Sequence, residues 1–175
     1  ALAGYAVHLT TVMTKPAADA AALAGLLADA RFSSALIGPG AGVGARTREL
    51  VTTVLAAGRP TVLDADALTS FTDSRPDLLA RLRADCVLTP HDGEFARLFD
   101  QPGSRLERAM AASRSCGAVV LLKGGDTVVA APDGRAVLQP SAPPWLATAG
   151  TGEITDATSS ARFEMVSRRT PSAGW

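Results

Sequence analysis

SALIGPGAGVGARTRELVTTVLA, residues 34–56, decides the fold. Ala35, Leu36 and Ile37 form an apolar run too short for a helix, and the run stops at a glycine. That combination reads as a buried strand entering a tight turn. Beyond GPGAGVG, residues 47–57 carry Leu50, Val51, Val54 and Leu55 at steps of three and four, the spacing of one helix face. Strand, glycine turn and helix in succession are the beginning of a βαβ unit, so the neighbouring stretches are expected to repeat it.

They do so in both directions. Upstream, Leu23, Leu26, Leu27 and Ala30 have helical spacing in residues 19–30, with Asp19 available as the N-cap. Before that helix, Val7, Leu9, Val12 and Met13 suggest a short strand, closed off by Pro16. Downstream, Thr61 to Leu63 is a short apolar strand with Asp64 and Asp66 at its carboxyl end, followed by a polar turn that runs to Pro76. A short helix is expected over residues 78–83 and a strand over 86–90. A second helical face follows in Glu94, Phe95, Leu98 and Phe99. Residues 101–103 form a loop, residues 104–115 a helix with Leu106, Ala109, Met110 and Ala112 inward, and AVVLLKG (118–124) a buried strand. TVVAAPDGRAVLQ (127–139) has the form of a hairpin turning at Pro132, Asp133 and Gly134, and the last clear element is the ATAGTG turn at 147–152. Short strands alternating with helices of about ten residues predict an α/β domain with a mostly parallel sheet.

Composition narrows the function classes. A chain of 175 residues with 47% hydrophobic residues and a mean hydropathy of +0.17 is long enough for one domain with a real core. Seventeen basic against seventeen acidic residues give zero formal charge, so no global field draws the chain to nucleic acid or an anionic membrane. An anion site must therefore be local. No apolar run approaches the roughly 18 residues of a membrane span, and the first residues lack the basic start and cleavage site of a signal peptide. Cys86 and Cys116 lack metal-ligand spacing, which fits buried thiols in a reducing cytoplasm.

In an open, mostly parallel sheet, ligands sit at the carboxyl ends of the strands. The residues expected on that edge are the turn at 38–44, Asp64, Asp66, His91, Lys123 and the turn at 150–153. Each has a structural reading beside a functional one. GPGAGVG matches G-x-G-x-x-G only loosely, since Gly38, Gly40, Gly42 and Gly44 fall at steps of two. It serves either a dinucleotide, with Asp64 as the eligible ribose ligand, or simply a close backbone approach. Asp64 and Asp66 suit magnesium through water or a turn and cap. Glu94 is either a first-turn helix residue favoured by the macrodipole or a ligand, and His91 is either structural or aimed into the crevice. Lys123, one of only two lysines with Lys15, emerges from a buried strand beside Gly124 and Gly125, a position suited to a phosphate or to a snorkelling ammonium. In ATAGTGE the backbone N–H groups can converge on an anion if a helix follows, with Glu153 as a candidate general base on a substrate hydroxyl.

Taken in order, ALIGPGAGVG, VLDADAL, VLTPHDGEFARLF, LLKGGDTVV and ATAGTGE resemble the ADP- or ATP-dependent NAD(P)H-hydrate dehydratases of the ribokinase-like superfamily, from about residue 21 to 152. TPHDGEF followed by LLKGGDT and AGTG is far more specific than any single glycine turn. The resemblance implies a ribokinase-like three-layer α/β sandwich. It also implies a repair reaction in which a nucleotide phosphorylates the hydroxyl of the hydrated nicotinamide ring and loss of phosphate restores NADH or NADPH. It places Gly40, His91 and Glu153 on the hydrated dinucleotide. Lys123, Gly124, Gly125, Asp126, Thr127 and Gly152 fall on ADP or ATP, which Mg2+ would accompany. The expected partners are these small molecules, with assembly into a homo-oligomer left open. Two alternatives stay in view: another ribokinase-like small-molecule kinase, against which TPHDGE argues, and an inactive nucleotide-binding fragment.

The sequence departs from the family pattern in three places. The base position carries Glu153 where the family has aspartate, and a shift near 1 Å at a reacting group can cost about a hundredfold in rate. Residues 154–175 have no sustained apolar face, unlike the small-residue helix of the family. The chain begins with Ala1, at a point the family reaches only after further strands and helices. The expectation is a partial ribokinase-like domain over 1–153 and a non-family tail over 154–175, with exposed sheet edges and marginal stability.

Overall fold

The computed structural model describes residues 13–139. Most of the expected strand before Pro16, the ATAGTG turn with Gly152 and Glu153, and the tail at 154–175 lie outside those residues. The described strands are β1 (Ala35–Ile37), β2 (Thr61–Leu63), β3 (Cys86–Leu88), β4 (Val119–Leu122), β5 (Thr127–Ala130) and β6 (Ala136–Gln139). They form one six-stranded sheet whose spatial order is the chain order. Strands β1 to β4 are parallel, and the β5–β6 hairpin adds antiparallel to β4.

One helix precedes β1, and the others carry the chain from each parallel strand to the next, as a parallel crossover requires. They are α1 (Ala20–Leu27), α2 (Ala45–Ala56), α3 (Asp66–Thr69), α4 (Arg75–Leu79), α5 (Asp92–Leu98) and α6 (Arg105–Cys116). Their starts follow from local chemistry. Asp19 accepts the Ala22 N–H at 2.8 Å and caps α1. Ser104 and Glu107 exchange hydrogen bonds with each other's backbone N–H to open α6. Helix α4 begins at Arg75 with Pro76 in its first turn, earlier than the expected 78–83. The missing proline N–H costs nothing there, so Pro76 starts the helix instead of closing the turn before it.

The core follows the burial of each element. All four residues of β4 are buried, the mark of a strand covered on both faces, whereas all four of β6 are exposed. Val51 and Leu55 of α2, Phe95 and Leu98 of α5, and Ala109 and Ala112 of α6 pack with Leu63, Leu88, Val120 and Leu122 of the strands in one cluster. Phe95 is fully buried and stacks at a tilt on Phe99, with 5.1 Å between ring centres. Both cysteines are free and buried within this cluster, and burial pushes both thiols up from the usual range. No described helix is long and apolar enough to cross a membrane.

Candidate functional site

The carboxyl edge of the parallel sheet is built by one extra hydrogen bond past each strand pair. The Asp64 N–H donates to the Ile37 carbonyl at 3.2 Å, the Thr89 N–H to the Leu63 carbonyl at 3.1 Å, and the Lys123 N–H to the Pro90 carbonyl at 2.9 Å. An isolated parallel bridge then joins His91 to Lys123. The residues that leave β2, β3 and β4 are thereby held along one edge. Lys123 uses the position to reach across the end of β3. Its ammonium lies 2.8 Å from Asp64 Oδ1, with the two side chains only 23% and 12% exposed.

The glycine turn is clamped to the same edge. Gly38 has φ +142°, and a Cβ there would lie 1.8 Å from the Asp64 carbonyl oxygen, so the turn after β1 fits against β2 only as glycine. Asp66 Oδ2 accepts the Gly42 N–H at 2.8 Å. Ser70 Oγ accepts the Gly44 N–H at 3.1 Å and donates to the Asp66 carbonyl at 2.6 Å. From inside the turn, the Thr47 hydroxyl donates to the Ala41 and Gly42 carbonyls. At Gly40, Gly42 and Gly44, by contrast, a Cβ would meet nothing within 4 Å. The turn is therefore fixed from below and open above.

Between the two aspartates Ala65 adopts φ 45° and ψ −116°, the one non-glycine residue with positive φ among those described. Such a backbone costs on the order of 1–3 kcal/mol and persists only where its surroundings over-determine it. Here the neighbours do so: one carboxylate is fastened to Lys123 and the next to the glycine turn. In this structure Asp64 and Asp66 are held as turn residues, by the Lys123 ammonium and the Gly42 N–H. Among the described residues no three His, Cys, Asp or Glu gather as a metal site.

His91 is the N-cap of α5. Its Nδ1 accepts the Gly93 N–H at 2.9 Å and the Glu94 N–H at 3.3 Å, while Glu94 Oε2 accepts the His91 N–H at 2.9 Å. A ring nitrogen thus does the work of a Ser or Asp cap, and accepting at Nδ1 leaves the proton on Nε2. Glu94 is buried, and the imidazole remains more than half exposed, at 57%. Gly124, Gly125 and Asp126 form the exposed turn between β4 and β5, and Thr127 opens β5 half-buried. Arg105 and Ser70, neither of them singled out from the sequence, hold the two ends of this edge. Arg105 binds the Asp92 carboxylate and the Lys123 carbonyl, and Ser70 ties α3 to the glycine turn. Gly152 and Glu153 lie outside the described residues.

The family model for NAD(P)H-hydrate dehydratase matches residues 1–158. The chain belongs to the NAD(P)H-hydrate dehydratase family. Among curated relatives, the bifunctional NAD(P)H-hydrate repair enzyme Nnr of Salinibacter ruber is 42% identical over 166 residues, covering 83% of this chain and 29% of that protein. The Nnr enzyme of Mycobacterium leprae is 40% identical over 126 residues, covering 71% and 26%. The chain thus spans little more than a quarter of the length of these relatives. Among solved structures, the ADP/ATP-dependent NAD(P)H-hydrate dehydratase of Bacillus subtilis, co-crystallized with ATP/Mg2+, superposes with a TM-score of 0.55 at 32% identity over 69% of this chain and 43% of that one. A ribokinase-like superfamily protein of Enterococcus faecalis V583 gives 0.61 at 26% identity, over 74% and 46%. The fold is accordingly ribokinase-like α/β, as the resemblance implied.

Proposed function

We propose that this chain performs the dehydratase chemistry of its family, the nucleotide-dependent return of hydrated NADH or NADPH to the reduced dinucleotide. The observation that carries the reading is the Lys123 ammonium, held at the carboxyl edge by Asp64 beside an exposed glycine turn and one bridge away from His91. Lys123 would neutralise the phosphates of ADP or ATP, with Gly124, Gly125, Asp126, Thr127 and Gly152 bordering the nucleotide. The open face above Gly40 and the exposed imidazole of His91 would receive the hydrated ring. Glu153 would take the proton from the ring hydroxyl as its oxygen attacks the terminal phosphorus, and the nucleotide leaves one phosphate shorter. The C–O bond to the new phosphate then breaks, a ring proton leaves, and the double bond of NADH is restored. With Asp64 and Asp66 engaged by Lys123 and the Gly42 N–H, a magnesium ion would be carried by the nucleotide's own phosphates. When bound there, that ion offsets charge on the phosphoryl oxygens. The partial ribokinase-like domain is read as residues 1–153, with the family match running on to residue 158.

The test incubates the chain with hydrated NADH and Mg2+, with ATP or ADP, and follows the return of NADH absorbance. Recovery with one nucleotide is expected, and a chain that binds nucleotide yet recovers nothing would refute the reading. Glu153→Asp should raise the rate, since it restores the carboxylate reach that the family uses. His91→Asn keeps a capping acceptor, so it should leave the melting temperature nearly unchanged while raising KM for the hydrate.

A further inference from the structure

We infer that Arg105 is a positioning residue that shapes the Lys123–Thr127 turn from beneath, an inference that rests on the reading of this turn as the nucleotide border. Arg105 is the first residue of α6, and its place is set by the Ser104–Glu107 capping box immediately before it. Its guanidinium forks onto Asp92, with Nη1 3.1 Å from Oδ1 and Nη2 on Oδ2. The same two nitrogens approach the Lys123 carbonyl at 3.4 and 3.3 Å. One side chain therefore joins the start of α5, where His91 caps, to the end of β4, where the ammonium emerges. A guanidinium, with five donors on one rigid group, can meet both partners at once, whereas an ammonium has three.

Gly124 records the same contact from the other side. A Cβ on it would lie 1.9 Å from Arg105 Nη2, 2.6 Å from Cζ and 2.8 Å from Nη1, whereas at Gly125 it would meet nothing within 4 Å. The two glycines of KGGDT thus have different reasons. Gly124 is the seat of the guanidinium, and Gly125 leaves the outer side of the turn open. Asp92 also has Arg108 Nη1 at 3.9 Å, and Arg108 in turn lies over the Phe95 ring at 4.8 Å, so the carboxylate that anchors Arg105 is itself held. The turn rests on a cation only 23% exposed, which fixes its backbone and adds positive potential beneath any phosphate above it.

The steric relation makes the inference testable. The end of an arginine side chain can swing away, so Gly124→Ala should fold, yet it should do so by expelling the guanidinium and should act like Arg105→Ala. By titration calorimetry each single variant should weaken ATP binding about tenfold, the scale of losing charge-assisted hydrogen bonds. The double variant should be weaker by about the same tenfold rather than the roughly hundredfold of independent sites. Additive losses would overturn the inference, as would a lowered melting temperature with ATP affinity unchanged. If the wild-type chain binds no ATP, the nucleotide reading itself fails. Amide exchange over residues 123–127 then decides on Arg105: equal acceleration in the two single variants sustains it, and unchanged exchange overturns it.

Discussion

Replacing Asp64 by Asn and Lys123 by Met, singly and together, would measure the contact that spans β3. The two side chains are 12% and 23% exposed and 2.8 Å apart. Exposed pairs are worth about 0.2–1 kcal/mol, and removing one partner of a fully buried pair costs about 3–5 kcal/mol. A pair with one carboxylate nearly dry and an ammonium partly wet lies between, so the coupling expected is about 2 kcal/mol. Lys123 has a further interaction besides Asp64, so single variants would mix effects and the full cycle is needed to isolate the pair. The assay is urea unfolding of wild type, D64N, K123M and the double variant at low salt, compared through their midpoints and slopes. Asn is nearly isosteric with Asp and Met covers the lysine stem, so the change is one of charge. A coupling energy below about 0.5 kcal/mol would be within the additivity expected of unrelated sites. It would refute the claim that this pair ties β2 to β4.

Two further outcomes follow from the same edge and from the core. Gly38→Ala should destabilise by more than 3 kcal/mol, about the upper range for strained backbone, because its Cβ would sit 1.8 Å from the rigid Asp64 carbonyl oxygen; chemical unfolding measures it, and a loss under about 1 kcal/mol would contradict the geometry. Burial raises the Cys86 and Cys116 thiols, so the stability owed to their neutral forms is fully present below the ordinary thiol pKa and is lost as pH rises through the raised folded values. Both should therefore resist alkylation at pH 8 until denaturant is added, and prompt native labelling would show that they are accessible.

Much of the fold was legible because each parallel strand is a short apolar run that stops at a glycine, an aspartate or a proline. Residues 34–38, 61–63, 86–90 and 118–124 each contain the strand expected, although β1, expected buried, leaves Leu36 exposed, and Pro132, Asp133 and Gly134 turn the hairpin. Helix α3 was not legible, since four residues make barely one turn and show no periodicity. At the edge, His91 and Lys123 could be picked out as residues but their partners could not. Asp64 and Lys123 are 59 positions apart, and nothing local says that β2 and β4 flank one strand. The capping role of His91 was hidden for another reason: a histidine stands where Ser, Thr, Asp or Asn would have announced a box with Glu94. Arg105 looked like one more surface arginine, and its only trace was the neighbouring pair of glycines at 124 and 125, which read equally well as phosphate space.

The identity of spatial order and chain order in the sheet has a consequence for synthesis. A ribosome adding about 5–20 residues per second delivers Lys123 roughly 3–12 s after Asp64, given the 59 positions between them. During that interval β1, β2 and β3 can zip together, each new strand finding its neighbour already laid down, while the Asp64 carboxylate stays hydrated. The ammonium arrives after all four parallel strands and gives Asp64 its partner at their carboxyl edge. A nascent chain interrupted before residue 123 would thus own most of its parallel scaffold and lack the Lys123 ammonium at its edge.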